Sequence, residues 1–391
     1  MNAGQLRGES LFVHSQPRGP WFYPRPWIAV AMLLGLTACA APQEPDLASR
    51  NQRQTLQMSA RRHHICAVAL AVIRNRKLDS VEVATGCEPA STVSAHSVFQ
   101  AASLSKPVFA YAVLKLVEQG KMALDAPVMR YLPQGYRHRF DPMRQAPAEL
   151  VTDPRLHAVT VRMILNHTSG LPNWAGGALT FHADPGSGWG YSGEAYVLLQ
   201  RAVEAVTGEP LNRFMHAQLF APLEMHDSSF IMDAEIAGKL LPGSKANGRP
   251  RSTMQFHQPI AAFSLYTSAA DYGKFMVALL NDAAVLRLAT ASSVTADARR
   301  GLDWGAGWGI ERGQNASYLW QWGNNPGYRA FAMADPDSGD GFVMLTNSEN
   351  GLSLAPPLAS TLFPGQHRLF QSSILGTDVV ALVCKAVGLC L

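Results

Sequence analysis

Phe99-Gln100-Ala101-Ala102-Ser103-Leu104-Ser105-Lys106 runs directly into residues 107–119, where Val108, Ala112, Val113, Leu116 and Val117 recur at helical spacing and Gly120 ends the pattern. Pro107 is tolerated because the first helical turn has no intrahelical partner for an N–H. Ser103 therefore stands at the opening of a largely buried helix, one turn ahead of Lys106 on the same face. A serine hydroxyl becomes a nucleophile when a neighbouring base takes its proton, and a lysine can do so once desolvation keeps its amine neutral. Ser-x-x-Lys alone is weak, since residue frequencies would produce it about once in a chain of this length.

On the N-terminal side, Cys66 precedes the apolar run 67–73, and Cys87 follows the run 78–84, with Asn75-Arg76-Lys77 as the turn between them. In a hairpin centred on Arg76-Lys77, symmetrical positions face each other, and Cys66 and Cys87 meet that condition. With Cys384 and Cys390 three complete pairings exist. The spacing favours a Cys66–Cys87 cross-strand disulfide, with two free thiols as the alternative.

On the C-terminal side, residues 125–235 carry mostly helical or irregular patterns, the clearest helix being 192–207, with Tyr196, Leu199, Val203 and Val206 along one face. Strand-like runs return at 318–322, 329–334 and 341–347, the last two separated by the turn at 335–340. Residues 373–391 read as a terminal helix. The expected fold class is α/β (α+β): an antiparallel sheet flanked by helices, built from N- and C-terminal segments, with a mainly helical lobe at about 125–235 inserted between them.

The 391 residues, 47% hydrophobic and 16% charged, exclude a disordered or collagen-like chain. A formal charge of +4 with scattered basic residues is no nucleic-acid footprint. The absence of Cys-x-x-Cys and His-Glu-x-x-His spacings argues against a metal site. Residues 27–38 form a short apolar stretch preceded by Arg18 and Arg25 and closed by Leu36-Thr37-Ala38-Cys39, which resembles a bacterial lipoprotein signal. The expectation is a signal peptide over 1–38, lipid on Cys39, a tether over 39–55, a folded domain over 56–370 and a tail over 371–391. That places the protein in the cell envelope, anchored to a membrane on the periplasmic side. Ala40, by the same resemblance, favours the outer membrane.

With these features in order, the chain resembles the serine β-lactamase and penicillin-binding-protein superfamily, closest to its class C-like branch. The segment 99–106 is similar to the nucleophile motif, and Leu165-Asn166-His167-Thr168-Ser169-Gly170-Leu171-Pro172 to the branch's His-Thr-Ser-Gly-Leu-Pro signature. Trp189-Gly190-Tyr191-Ser192-Gly193 stands where Tyr-x-Asn is expected, and Tyr266-Thr267-Ser268-Ala269-Ala270-Asp271 resembles a later helix start. The likeness covers about residues 66–362.

The resemblance implies that Ser103 attacks a carbonyl while Lys106 and Tyr191 move its proton, and that His167 belongs to a structural turn rather than acting as a base. Alignment through Pro326-Gly327-Tyr328 puts Gln321-Trp322-Gly323 at the third motif, where relatives carry a cation. The backbone N–H groups of Ser103 and Asn324 would form an oxyanion hole, with Gly323 allowing close approach. Gly193, Gln321, Trp322 and Gly323 are the expected substrate contacts. Gly193 in place of Asn implies a roomier or differently wired pocket, and Trp189, Trp320 and Trp322 serve either as its walls or as core. Both departures point away from efficient β-lactam hydrolysis and toward small esters or D-peptide-like amides, processed without metal or organic cofactor. A non-catalytic binding or sensing module of the same fold is the alternative. Nothing in the sequence specifies an oligomeric state.

Overall fold

The computed structural model describes residues 52–88, 92–143, 147–313 and 316–375. The expected signal, Cys39, most of the tether, and Cys384 and Cys390 lie outside the described residues. Helix α1 (Gln52–Arg62) begins inside the stretch expected as tether, and its Leu56 and Ala60 are fully buried. The expected terminal helix is represented by a 3-10 turn at Ser373–Leu375, and its remainder is outside the described residues.

Strands β1 (Val68–Arg74) and β2 (Lys77–Ala84) form the first hairpin. The short strand β3 (Phe99–Gln100) then leads into α2 (Ser105–Glu118). Next come β4 (Arg137–His138) and β5 (Glu149–Leu150), a two-stranded ladder, followed by α3 (Val161–Leu165), α4 (Gly193–Thr207), α5 (Leu211–Met215) and α6 (Ala234–Lys239). The strand β6 (Tyr266–Thr267) pairs back with β3. Helices α7 (Ala269–Asn281) and α8 (Ala283–Thr290) precede β7 (Val294–Asp297), β8 (Leu302–Trp304), β9 (Gly309–Arg312), β10 (Ser317–Asn325), β11 (Tyr328–Asp335), β12 (Asp340–Thr346) and α9 (Ala355–Leu362).

Eight strands make one antiparallel sheet in the order β2-β1-β12-β11-β10-β9-β8-β7, so the N-terminal hairpin is stitched to the C-terminal strand as the sequence suggested. Its central strands are buried on both faces, which is why β1, β11 and β12 read as nearly continuous apolar runs. Small residues, Ala69, Ala71, Ala330, Ala332 and Ala334, face the core shared with α2 and α7. Larger ones, Leu70, Phe331, Met333, Phe342 and Met344, face the core shared with α1 and α9. The small face lets helices approach: a Cβ on Gly273 of α7 would lie 3.2 Å from that of Ala71.

The hairpin register differs from the sequence reading. Asn75 and Arg76, both at positive φ, form the two-residue turn, and Arg74 opposes Lys77. Asp79 is then an extra residue on β2, shifting the register so that Val72 faces Ser80. Cys66 and Cys87 nevertheless form a disulfide, with Cα atoms 4.5 Å apart. The chain beyond β2 turns tightly under α1, where a Cβ on Gly86 would sit 2.1 Å from the Ala60 carbonyl oxygen.

Candidate active site

The pairing of β3 with β6, extended by the Ala101 N–H to Leu265 carbonyl bond at 2.8 Å, delivers the chain to the turn that carries Ser103. Ser103 lies in a 3-10 turn, Ala102–Leu104, ahead of α2 rather than within it. The turn is entered through Ala102 at φ +50°, a left-handed conformation that an alanine holds only under constraint. The constraint is visible. Ser105 Oγ donates to the Ala102 carbonyl at 2.6 Å and accepts from Leu265 N–H at 3.0 Å, and Tyr272 Oη donates to the Leu104 carbonyl at 3.1 Å. Three residues per 3-10 turn bring positions i and i+3 into line, so the Ser-x-x-Lys offset works here without an α-helix at the serine.

Lys106 is 1% exposed. Its Nζ donates to Ser103 Oγ at 3.2 Å and to the Ala262 carbonyl at 2.8 Å, and lies 4.8 Å from the ring centre of Tyr191. Burial pulls its pKa down from 10.5 to about 7. The amine is therefore neutral in a useful fraction of molecules near neutral pH, while Ser103 itself remains part-exposed.

Tyr191 precedes Ser192, whose side chain caps α4 by accepting from Ala195 N–H. The Tyr191 hydroxyl hydrogen-bonds the Ser103 side chain and accepts from Gln321 Nε2 at 3.1 Å. Burial raises its pKa, and those two bonds pull partly the other way. Gln321, with no exposed surface, also donates Nε2 to the Ser103 backbone carbonyl at 3.1 Å. Its buried Oε1 has no hydrogen-bond partner among the described residues.

His167 sits beneath Tyr191, ring centres 4.3 Å apart. It is at φ +61° and fully buried, and its Nδ1 accepts from Ser192 N–H at 3.1 Å while its carbonyl accepts from Gly190 N–H at 2.8 Å. Burial first, and Lys106 second, hold its pKa well below 6.5, so it is a neutral prop that fixes the Tyr191 loop. Gly170, at φ +76°, ends this turn where a Cβ would collide with the Ala183 carbonyl oxygen at 2.1 Å.

Strand β10 flanks Ser103. Its partner β9 reaches only to Trp320, so the ladder on that side stops before residues 321–325. Gly323 is pressed on the turn that carries Ser103, a Cβ there falling 2.3 Å from the Ala101 carbonyl oxygen, and Asn324 follows it opposite Arg329 of β11. Trp320 is fully buried core, stacked at 5.8 Å on Trp322, while Trp322 packs at 5.0 Å on Tyr191. Trp189 is part-buried against Trp304 at 5.5 Å.

Of the two alternatives for Gly193, the structure agrees with a differently wired pocket rather than a roomier one. The Trp174 indole occupies the space of the missing side chain, with two ring carbons 2.5 Å from where a Cβ would stand, and Gly193 N–H is taken by Asn173 Oδ1 at 3.0 Å. Trp174, Phe263, Trp304 and the Ala262 carbonyl escape sequence reasoning, because tertiary packing alone brings them to the site.

Among known proteins, the Beta-lactamase family model matches residues 49–360. Esterase EstB from Burkholderia gladioli is 34% identical over 167 residues, 34% of this chain and 39% of the esterase. A penicillin-binding protein from Bacillus subtilis (strain 168) is 24% identical over 301 residues, 65% of this chain and 61% of that relative. Both matches thus span less than two thirds of the relative's length. D-amino acid amidase from Ochrobactrum anthropi SV3 superposes with a TM-score of 0.66 at 21% identity, over 80% of this chain and 96% of the amidase. At that identity the superposition speaks for a shared fold, and the family match spans the strands and helices that place Ser103, Lys106, Tyr191 and Gln321. On these grounds the chain belongs to the Beta-lactamase family.

Proposed function

We propose that the protein is an exported serine hydrolase working through an acyl-enzyme on ester or D-peptide-like amide substrates, with β-lactam hydrolysis at most weak. The contact of Lys106 Nζ with Ser103 Oγ, made by an amine that burial brings to a pKa of about 7, carries this reading. In the forward half-reaction neutral Lys106 takes the Ser103 proton, with Tyr191 sharing its transfer, and Oγ bonds the carbonyl carbon. The N–H groups of Ser103 and Asn324 stabilise the negative charge that develops on the carbonyl oxygen. Tyr191 and Lys106 return the proton to the departing alkoxide or amine as its bond to carbon breaks. Water then repeats the steps in reverse, restoring Ser103 and releasing the acid.

The Cys66–Cys87 disulfide supports an oxidising compartment, in keeping with lipid attachment at Cys39 and residence in the cell envelope. The uncharged Gln321 at the third motif favours a second reading, a binding module that acylates without turning over. One experiment separates them. A fluorophosphonate probe is expected to add once to the full chain and not to Ser103→Ala, and an aryl ester is expected to turn over steadily. A single adduct without turnover assigns the binding module, and no adduct on folded protein removes the nucleophile altogether.

A further inference from the structure

Trp174 is 43% exposed although the chain on both sides of it is pinned. Asn173 accepts from the N–H groups of Gly193 and Glu194, and Ala175 N–H donates at 2.9 Å to Glu194 Oε1. Glu194 is itself buried, its other oxygen 3.1 Å from His138 Nε2. The indole thus cannot swing away with a loose loop. One part of it lies on Gly193, two residues from Tyr191, and it meets Phe263 edge-on at 5.2 Å. Phe263 follows Ala262, whose carbonyl holds Lys106. A fixed, solvent-facing aromatic surface therefore stands beside the lysine side of the nucleophile.

We propose that Trp174, seated on Gly193 and against Phe263, is a specificity-determining residue whose indole receives the apolar acyl chain of an uncharged substrate. This rests on the serine-hydrolase reading. The leaving group must face the Tyr191 hydroxyl to collect its proton, and Gln321 holds that hydroxyl from β10. Trp174 and Phe263 together make an apolar surface over Gly193 and next to the Ala262 carbonyl that holds Lys106, and the acyl portion of such a substrate lies on it. The strand position that could have held a substrate carboxylate carries the neutral Gln321, so apolar burial replaces charge pairing as the source of selectivity. Gly193 is the enabling residue, since any side chain there would displace the indole.

The test is the ratio of kcat/KM for p-nitrophenyl octanoate to that for p-nitrophenyl acetate, measured on the full chain. Each methylene on an apolar surface adds binding, so Trp174→Ala lowers the ratio by about tenfold or more. Trp174→Phe keeps most of it, and Gly193→Ala, by pushing the indole aside, lowers it. The carboxylate-bearing p-nitrophenyl monosuccinate is a poorer substrate than p-nitrophenyl butyrate. If circular dichroism shows that Trp174→Ala does not fold, Trp174→Gln takes its place with the same expectation. An unchanged ratio, or a preference for monosuccinate, overturns the assignment. Phosphonylation of wild-type Ser103 keeps the outcomes apart: labelling with an unchanged ratio defeats only the Trp174 proposal, whereas absence of labelling defeats the hydrolase reading on which it rests.

Discussion

Gln321 donates its amide to the Tyr191 hydroxyl at 3.1 Å and, through the same nitrogen, to the backbone carbonyl of Ser103. The tyrosine oxygen and the main chain of Ser103 are thereby held by one neutral group, and the proton of Tyr191 is directed toward Ser103. Gln321→Leu leaves that carbonyl and the hydroxyl without their donor, and loss of such a bond is worth about 1–3 kcal/mol. The expected outcome is a fall of about ten- to a hundredfold in kcat for aryl esters. Stopped-flow acylation rates check it, and an unaltered rate would show that the amide only fills space.

The pH dependence of acylation follows from Lys106. In the proposed mechanism the amine accepts the Ser103 proton only when neutral, and burial brings its pKa to about 7. The kcat/KM profile therefore rises with pH through about 7 and flattens above it, where a solvated lysine would place the limb near 10.5. An acid limb below 5 would instead implicate a carboxylate.

A different consequence concerns stability. Between pH 7 and 10.5 the unfolded chain holds a proton on Lys106 that the folded chain has released, so burial of this group opposes folding less as pH rises across that window. Lys106→Met removes the penalty and keeps the volume. It abolishes activity while raising the unfolding free energy at pH 7 by about 1–3 kcal/mol, read from urea titrations. A destabilised variant would mean that the bonds to Ser103 and Ala262 outweigh the desolvation.

How the sequence disclosed this site depends on the range of the interactions. Ser103, Lys106 and Tyr191 were legible because short motifs encode them, and β10 to β12 because long apolar and aromatic runs encode buried strands. Strands β7 to β9, three or four residues each and interrupted by Gly301, Gly305 and Gly307, carry too little pattern to be seen. The seat of Trp174 on Gly193 joins positions in different elements, and no local periodicity announces it. The hairpin was found, but Asp79 added a residue that no alternation pattern predicts.

The disulfide closes a 21-residue separation. Loop-closure entropy of that size corresponds to about 3 kcal/mol in the chain-entropy treatment. Cys66→Ser with Cys87→Ser should lower the denaturation free energy by about 2–4 kcal/mol, and reducing agent should reproduce the effect in wild type but not in the double variant. Equal denaturation midpoints with and without reductant would show that the unfolded chain is not constrained by the bond.

His367 ties the last described segment to the sheet. Its Nδ1 lies 2.8 Å from Glu311 Oε2, its Nε2 2.8 Å from the Phe363 carbonyl oxygen, and Glu311 Oε1 accepts from Leu369 N–H. Burial works to lower the imidazole pKa, but the bonds to Glu311 and Phe363 prevail and the net shift is upward. A raised folded pKa gives a contribution that is complete below about 6.5 and is lost as pH climbs through the folded value. Lys106 slopes the other way above pH 7, so the wild-type curve alone hides the effect. The difference between wild type and His367→Gln isolates it: wild type should hold its greatest advantage at pH 5.5 to 6, and that advantage should shrink toward pH 8 to 9. A difference independent of pH would mean that His367 is bound as the neutral imidazole, with Glu311 accepting from it as from any other N–H.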